Sequence, residues 1–392
     1  MKKSQKKYKD WTIGIDATNL RQGGGITHIL ELLNAAKPEK YGIIKVVVWG
    51  GANTLAALND KPWLVKMQHK ELDKGLFFRT FWQWFILSKT AKKVGCDLLF
   101  VPGGSNAGTF KPFVTLSQNL LPFELKELRR YGLSLITVKL LLLRLVQSRA
   151  FLAADGIIFL TKYARNKVLD VTGKIAGESV IVPHGLSKLF LKEPKIQRSI
   201  YEFTHDNPFH LLYVSIIDQY KHQWQVVDAV ARLRKETNFP LILDLVGPAY
   251  PPALKRLNEA INRQDPEGKW VRYHGAIPYA NLHKKYAEAD LGIFASSCEN
   301  MPITLMETMA SGLPIACSNR GPMIEVLNDA GVYFDPENSS EIYTALYKLI
   351  NSIELRTKLA KASFDSIKAY TWEKCAQDTF MFLARIIIKN KI

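Results

Sequence analysis

The chain has 392 residues, 47% hydrophobic and 23% charged, with a formal net charge of +17 and four cysteines. Its length suits two domains of ~100–200 residues each, and its composition excludes a disordered or collagen-like chain. The cysteines (Cys96, Cys298, Cys317, Cys375) are far apart with no CxxC, which argues against a disulfide scaffold or zinc module and fits a reducing compartment. In the first half, short apolar runs predict strands at 12–16, 43–49, 98–102, 113–116, 156–160 and 179–182. Helical patterns at 25–34, 81–94, 123–148 and 162–171 separate several of them. In the second half, strands are predicted at 210–215, 240–246, 271–274, 291–295, 314–317 and 332–334. Helices are predicted there at 224–236, 253–262, 279–287, 303–309 and 341–351. Alternation of this kind, with near-continuous apolar strands, predicts an α/β chain of parallel sheets buried on both faces.

Charge is distributed unevenly. Residues 1–200 hold 32 Lys and Arg against 14 Asp and Glu, a balance of +18, whereas 201–392 hold 21 against 22. Nucleic acid, an anionic membrane or a polyphosphate would each suit such a basic half, as would plain solubility. The polar, proline-containing stretch 185–208 coincides with the charge shift. The expected organisation is therefore two doubly wound domains, 1–187 and 209–370, joined by a linker, 188–208. A terminal segment, 371–392, is expected to pack back on the first domain. The basic opening run is followed by one short strand and no small-residue cleavage site, so no secretory signal is expected. No window reaches 18 uncharged apolar residues either; the nearest approach, 133–146, is interrupted by Lys139 and Arg144. A cytoplasmic location is the expectation.

In open α/β sheets, ligands bind outside the carboxyl ends of strands. The first such loop contains Gly23, Gly24 and Gly25 and leads into a helix. Glycines admit a ligand close to the backbone, and a helix start offers N–H groups to a phosphate or sugar. The spacing is not the dinucleotide GxGxxG fingerprint, and a flexible turn is the plainer reading. The second loop, SSCENMPITLMETMASGLP, carries Glu299 just past a strand and Glu307 on the following helix. Pro302 suits the first turn of that helix, and N–H groups at Met301, Ile303 and Thr304 lie between the two acids. Two acids flanking an anion site suit a ligand with hydroxyls at both ends and negative charge in the middle, as in a nucleoside diphosphate sugar. A solvated loop acid and a solvated helix acid would be the bland alternative.

The pair Glu299-x7-Glu307, followed by Met309-Ala310-Ser311-Gly312-Leu313-Pro314-Ile315, resembles the signature of the retaining glycosyltransferases of family 4, also called glycosyl transferases group 1. The resemblance covers most of the chain and is strongest from 210 to 334. It implies a GT-B fold, two Rossmann-like doubly wound domains facing across a cleft, in a capsule- or O-antigen-type bacterial enzyme. It further implies that Glu307 binds the donor ribose, with Asn300 beside it. Glu299 would hold the transferred sugar, and the N–H groups of Ile303 and Thr304 would hold the distal phosphate. Lys221, in YVSIIDQYKHQ, matches the lysine that neutralises the departing diphosphate, and Ile277 lies on the loop that contacts the base. A positioned ammonium and helix-end N–H groups would stabilise charge on the leaving group, so no metal or other cofactor is expected. The implied partners are the nucleotide-sugar donor and a saccharide or polyprenyl-linked acceptor.

Two departures accompany the resemblance. Ser215-Ile216 stands where the family usually presents Gly-Arg, and Gln118 where a histidine often precedes Leu-x-Pro; an amide there can hydrogen-bond a sugar but not transfer a proton. A nucleotide-sugar epimerase of the same fold and a non-catalytic sugar-nucleotide-binding subunit are the alternatives. His28, His184 and Arg165 are expected to be structural. The aromatic-basic segment 77–93 and the leucine-rich segment 126–149, with Lys126, Arg129, Arg130, Lys139, Arg144 and Arg149, could bind an anionic membrane from the cytoplasmic side or be core helices with basic surfaces. Nucleic acid is not an expected partner, because these basic residues lie among apolar runs.

Overall fold

The computed structural model describes residues 10–21 and 23–391, so the basic opening run lies outside the described residues. The chain divides into two compact units. Met1–Phe123, Leu135–Gly185 and Tyr370–Ile392 form one, and Glu124–Ser134 with Leu186–Ala369 forms the other.

The first unit is built on seven parallel strands: β1 (Trp11–Asp16), β2 (Ile43–Gly50), β3 (Leu64–Gln68), β4 (Leu98–Val101), β5 (Phe113–Ser117), β6 (Gly156–Phe159) and β7 (Glu178–Ile181). Their order is β3-β2-β1-β4-β5-β6-β7. On one face, Val47, Trp49, Leu99, Val101, Ile157 and Phe159, which alternate along their strands, share a core with Trp82, Leu87 and Phe151 from two helical stretches. The helix Trp372–Lys391 belongs to this unit and lays Phe382 and Ile386 against Gly156. The predicted helix 81–94 begins earlier, at Leu76, and runs through a π-turn, Gln83–Leu87, into Ser88–Lys93. The predicted helix 123–148 is broken, because the chain turns at Gly132 before the helix Leu135–Ala153 begins.

The second unit holds β8 (Phe209–Val214), β9 (Leu241–Val246), β10 (Val271–Tyr273), β11 (Leu291–Phe294), β12 (Ile315–Ser318) and β13 (Val332–Phe334). All are parallel, in the order β10-β9-β8-β11-β12-β13. Strand order therefore reverses between β8 and β11, and the loops after those two strands border the switch point where a doubly wound sheet takes its ligand. Both units are Rossmann-like. The helix Ile353–Ile367, absent from the sequence reading, contributes the fully buried Arg356. Its guanidinium donates to the carbonyls of Leu349 and Ile350 at the end of the helix Ser339–Ile350, and to Gln197 and the carbonyl of Arg198. At that helix end the guanidinium adds to the Ser352 N–H, which the Leu349 carbonyl also accepts at 3.3 Å.

Candidate functional site

The loop after β8 is set by its neighbours. Ser215 donates its N–H to Val246 at 2.8 Å, and Gly247 donates to Gly275 at 2.8 Å, so the loops after β8, β9 and β10 are laced together. A Cβ on Gly247, at φ 147°, would lie 2.1 Å from the Ser215 carbonyl oxygen, and only glycine fits. Farther along, Lys221 is buried, its carbonyl accepting from the Tyr213 hydroxyl at 2.8 Å. Its ammonium lies over the rings of Tyr220 (5.0 Å) and Phe294 (5.5 Å) and makes a short ion pair with Glu299 Oε1. The lysine and the glutamate singled out from sequence thus meet at the switch point, one from each bordering loop.

Asn300 is buried beside Glu299, and the helix Ile303–Ala310 follows with Pro302 at its cap. Leu305, Met306 and Met309 anchor this helix in the core, each contributing roughly 1.5–3 kcal/mol. The Ile303 N–H is taken by the Met301 carbonyl at 3.0 Å, so it is not available to a phosphate as the helix stands. No acceptor is recorded for the Thr304 N–H among the described residues. Glu307 is not a solvated helix acid: only 1% of it is exposed. Burial lifts its carboxyl to about 7, against hydrogen bonds from Tyr286 and Tyr279 that lower it, the Tyr286 hydroxyl donating at 3.1 Å. Ile277 lies on the loop after β10, two strands from β8, half-buried.

Sequence reasoning missed the segment Glu124–Ser134, which belongs to this second unit. Tyr131 donates to Asp218 Oδ1 at 2.8 Å in the loop that carries Lys221. Glu127, buried, accepts from Ser297 Oγ at 2.6 Å in the loop that carries Glu299. Because Ser297 spends its proton on Glu127, its oxygen accepts from His222 Nε2 at 2.9 Å. Burial, reinforced by Arg130, holds that imidazole neutral by lowering it to about 3. Arg130 bonds Glu127 at 2.7 Å and Glu337 at 2.8 Å, and Lys126 bonds Glu337 at 2.8 Å. Burial would raise the Glu337 carboxyl, but these two cations prevail and hold it at about 2. Lys126 and Arg130, counted from sequence among the cations of a segment that could meet a membrane or form a core helix with a basic surface, are paired with acids of this unit. The turn at Gly132 was the available signal.

In the first unit, Gly23 caps the helix Gly24–Ala35 with φ 71°, and among the described residues, chain neighbours aside, no atom lies within 4 Å of a Cβ placed at Gly23 or Gly24. A Cβ on Gly25 would lie 3.1 Å from Gln118 Oε1, so these two candidates are neighbours. The Gln118 amide nitrogen is buried without a partner among the described residues. His28 and His184 are buried, their Nδ1 atoms 2.9 Å apart and both rings beside Trp372; burial lowers both, His184 to about 4. Among the described residues, no three His, Cys, Asp or Glu side chains are grouped to hold a metal ion.

Residues 196–365 match the family described as glycosyl transferases group 1. O-antigen chain mannosyltransferase B of Escherichia coli is 26% identical over 238 residues, 60% of this chain and 59% of that protein. The chain thus spans less than two thirds of that relative's length. Sucrose-phosphate synthase of Thermosynechococcus elongatus superposes with a TM-score of 0.74 at 18% identity, covering 97% of this chain and all of that one. HepE of Anabaena, solved with UDP, superposes with a TM-score of 0.69 at 16% identity, covering 96% and 100%. These structural likenesses establish the GT-B class of fold.

Proposed function

We propose, from the membership of residues 196–365 in glycosyl transferases group 1, that the chain moves a sugar from a nucleoside diphosphate sugar to a saccharide or polyprenyl-linked acceptor. Synthesis of a cell-surface polysaccharide is the setting that similarity to an O-antigen mannosyltransferase favours. A cytoplasmic site of action goes with it, since all four cysteines are free thiols. The second unit takes the donor and the basic first unit takes the acceptor, with the glycine loop and Gln118 as its contacts.

The observation that carries this reading is the buried Lys221–Glu299 pair at the β8–β11 switch point, beside the start of the helix that bears Glu307. Cleaving the bond from the anomeric carbon to the diphosphate leaves the electron pair on phosphate oxygen. A buried ammonium and the Thr304 N–H are suited to that charge, because they are already oriented where water is scarce. Glu299 then faces the sugar, which carries positive character as the bond breaks. Glu307 accepts from the ribose hydroxyls, and Ile277 and Asn300 line the nucleotide. The reaction on this reading retains anomeric configuration and runs without a metal.

The test is a panel of nucleoside diphosphate sugars offered with saccharide and polyprenyl acceptors, with products followed by mass spectrometry and anomeric configuration by NMR, with and without chelator. Transfer with retention in the presence of chelator is expected. Isomerised donor without acceptor would assign an epimerase instead, and donor binding without turnover on any acceptor would assign a non-catalytic subunit.

A further inference from the structure

No helix among the described residues is long and apolar enough to cross a membrane, yet the first unit turns two apolar helical faces outward. Trp82 and Leu87 on one stretch, and Phe151 on the helix Leu135–Ala153, enter the same core against the same face of the seven-stranded sheet. Both stretches therefore cover one side of that sheet, and their other flanks point away from it. On the first, Phe77 (77% exposed), Phe81, Trp84 and Phe85 follow helical spacing i, i+4, i+7, i+8 into solvent. On the second, Leu135, Val138, Leu142 (58% exposed) and Leu145 form a second stripe. The loop between them borders both. Thr109 donates its N–H to Ser88 Oγ at 3.0 Å beyond the first stripe, and lines a cavity of about 230 Å³ with Arg149 beyond the second.

A helix that is apolar on its outer side as well as its inner one belongs against something other than water. Charge says what. Lys89, Lys92, Lys93, Lys139 and Arg149 are exposed along the same two helices, in the half of the chain whose balance is +18. A second copy of the chain would set two cationic faces together and suffer repulsion. An anionic bilayer offers both acyl depth for the aromatic and leucine side chains and phosphate for the lysines.

We propose that this face of the first unit is an interfacial docking surface for an anionic lipid bilayer, with the stripes of Phe77–Phe85 and Leu135–Leu145 entering the headgroup boundary. Docking there does not rest on the donor chemistry proposed for the second unit. The experiment is flotation of the whole chain with vesicles of phosphatidylcholine alone, or with a third of it replaced by phosphatidylglycerol, at low and high salt. Wild type should float with the anionic vesicles and less so at high salt. The pairs Phe77→Asp with Trp84→Asp, and Leu142→Asp with Leu145→Asp, should abolish flotation while leaving thermal melts unchanged, since these side chains are exposed. Lys92→Ala and Lys93→Ala should each lower partitioning about fivefold on anionic vesicles only. Wild type left in the soluble fraction with every vesicle, or aspartate variants that float like wild type, would overturn the proposal. A dimer in sedimentation that Leu142→Asp dissociates, without flotation, would give the face to a second copy and overturn it equally.

Discussion

Glu307→Gln tests the state of the most buried acid in the candidate site. The folded carboxyl titrates at about 7 against 4.5 for the free side chain, because burial disfavours its charge. Between those values the folded protein keeps a proton that the unfolded chain has released, so stability falls as pH rises from 4.5 to 7 and changes no further above that. At about 1.4 kcal/mol per unit, the loss by pH 8 is about 3 kcal/mol. For a domain of this size that corresponds to roughly 6–12 °C in melting temperature. The glutamine variant has no proton to lose. Denaturant titrations of both proteins at pH 5, 6, 7 and 8 should therefore show the variant gaining on wild type by about 2.5 kcal/mol across that range, the rest of the loss lying below pH 5. The same comparison reaches the ligand. Ribose hydroxyls donating to Glu307 require the ionised carboxylate, so binding of uridine diphosphate at pH 6 should release a proton in wild type and not in the variant. Calorimetry in buffers of different ionisation enthalpy measures that release. Parallel pH profiles of stability for the two proteins would refute the burial argument, and equal nucleotide affinity at pH 8 would refute the ribose role.

Three further outcomes are expected. Lys221→Ala should lower transfer by a factor on the order of 10²–10³, as for loss of one electrostatic donor, and Lys221→Arg should recover only part of it, since a planar fork does not replace a point charge; near-normal transfer by the alanine variant would mean that another basic group serves the diphosphate. Ser297→Ala should cost about 1–3 kcal/mol in denaturant titration, because it leaves the His222 N–H without its acceptor and takes one donor from the Glu127 carboxylate, which Arg130 still pairs; an unchanged midpoint would show the segment Glu124–Ser134 held by its other contacts. Gly247→Ala should destabilise by on the order of 3–4 kcal/mol through the clash with the Ser215 carbonyl and weaken nucleotide binding with it; a melt like wild type would mean that the loop yields freely.

The parallel strands were legible because strands buried on both faces read as unbroken apolar runs, as in LLFV of β4 and IACS of β12. The strand β3 was not, since LVKMQ lies at the sheet edge with Lys66 and Gln68 interrupting the pattern. The helix Ile353–Ile367 escaped for a related reason: one of its fully buried positions is an arginine, two of whose partners, Gln197 and the Arg198 carbonyl, are remote in sequence. In the site, Lys221 and Glu299 could be placed on their loops because each follows an apolar strand. Their pairing could not, since 78 residues separate them and nothing local records it. The same holds for Glu127 and Ser297, 170 residues apart, and for Lys126 and Glu337, 211 apart. A basic residue in a leucine-rich segment reads as surface charge until its acid is known.

That pairing changes what Lys221 can be asked to show. From sequence, a lone cation at a crevice mouth could be removed with little effect on folding. In the structure the side chains of Lys221 and Glu299 are only 7% and 15% exposed and neutralise each other. Deleting the ammonium leaves an unpaired carboxylate in poor solvent, a loss of about 3–5 kcal/mol for a buried pair. Lys221→Ala should therefore melt early as well as turn over slowly, and the melt alone would not separate the two roles. The double change Lys221→Ala with Glu299→Gln does. It removes the stranded charge, so stability should return toward wild type, while transfer should stay low because the cation for the leaving group is still missing. On the proposed reading, an arriving diphosphate also competes with Glu299 for the ammonium, freeing the carboxylate to face the sugar as the phosphate takes its place. Donor binding would then assemble the charge arrangement that the reaction uses, and Glu299→Gln alone should bind uridine diphosphate more tightly than wild type. Weaker binding by that variant, measured by calorimetry with its fold intact, would show that Glu299 positions Lys221 for the phosphate rather than competing for it.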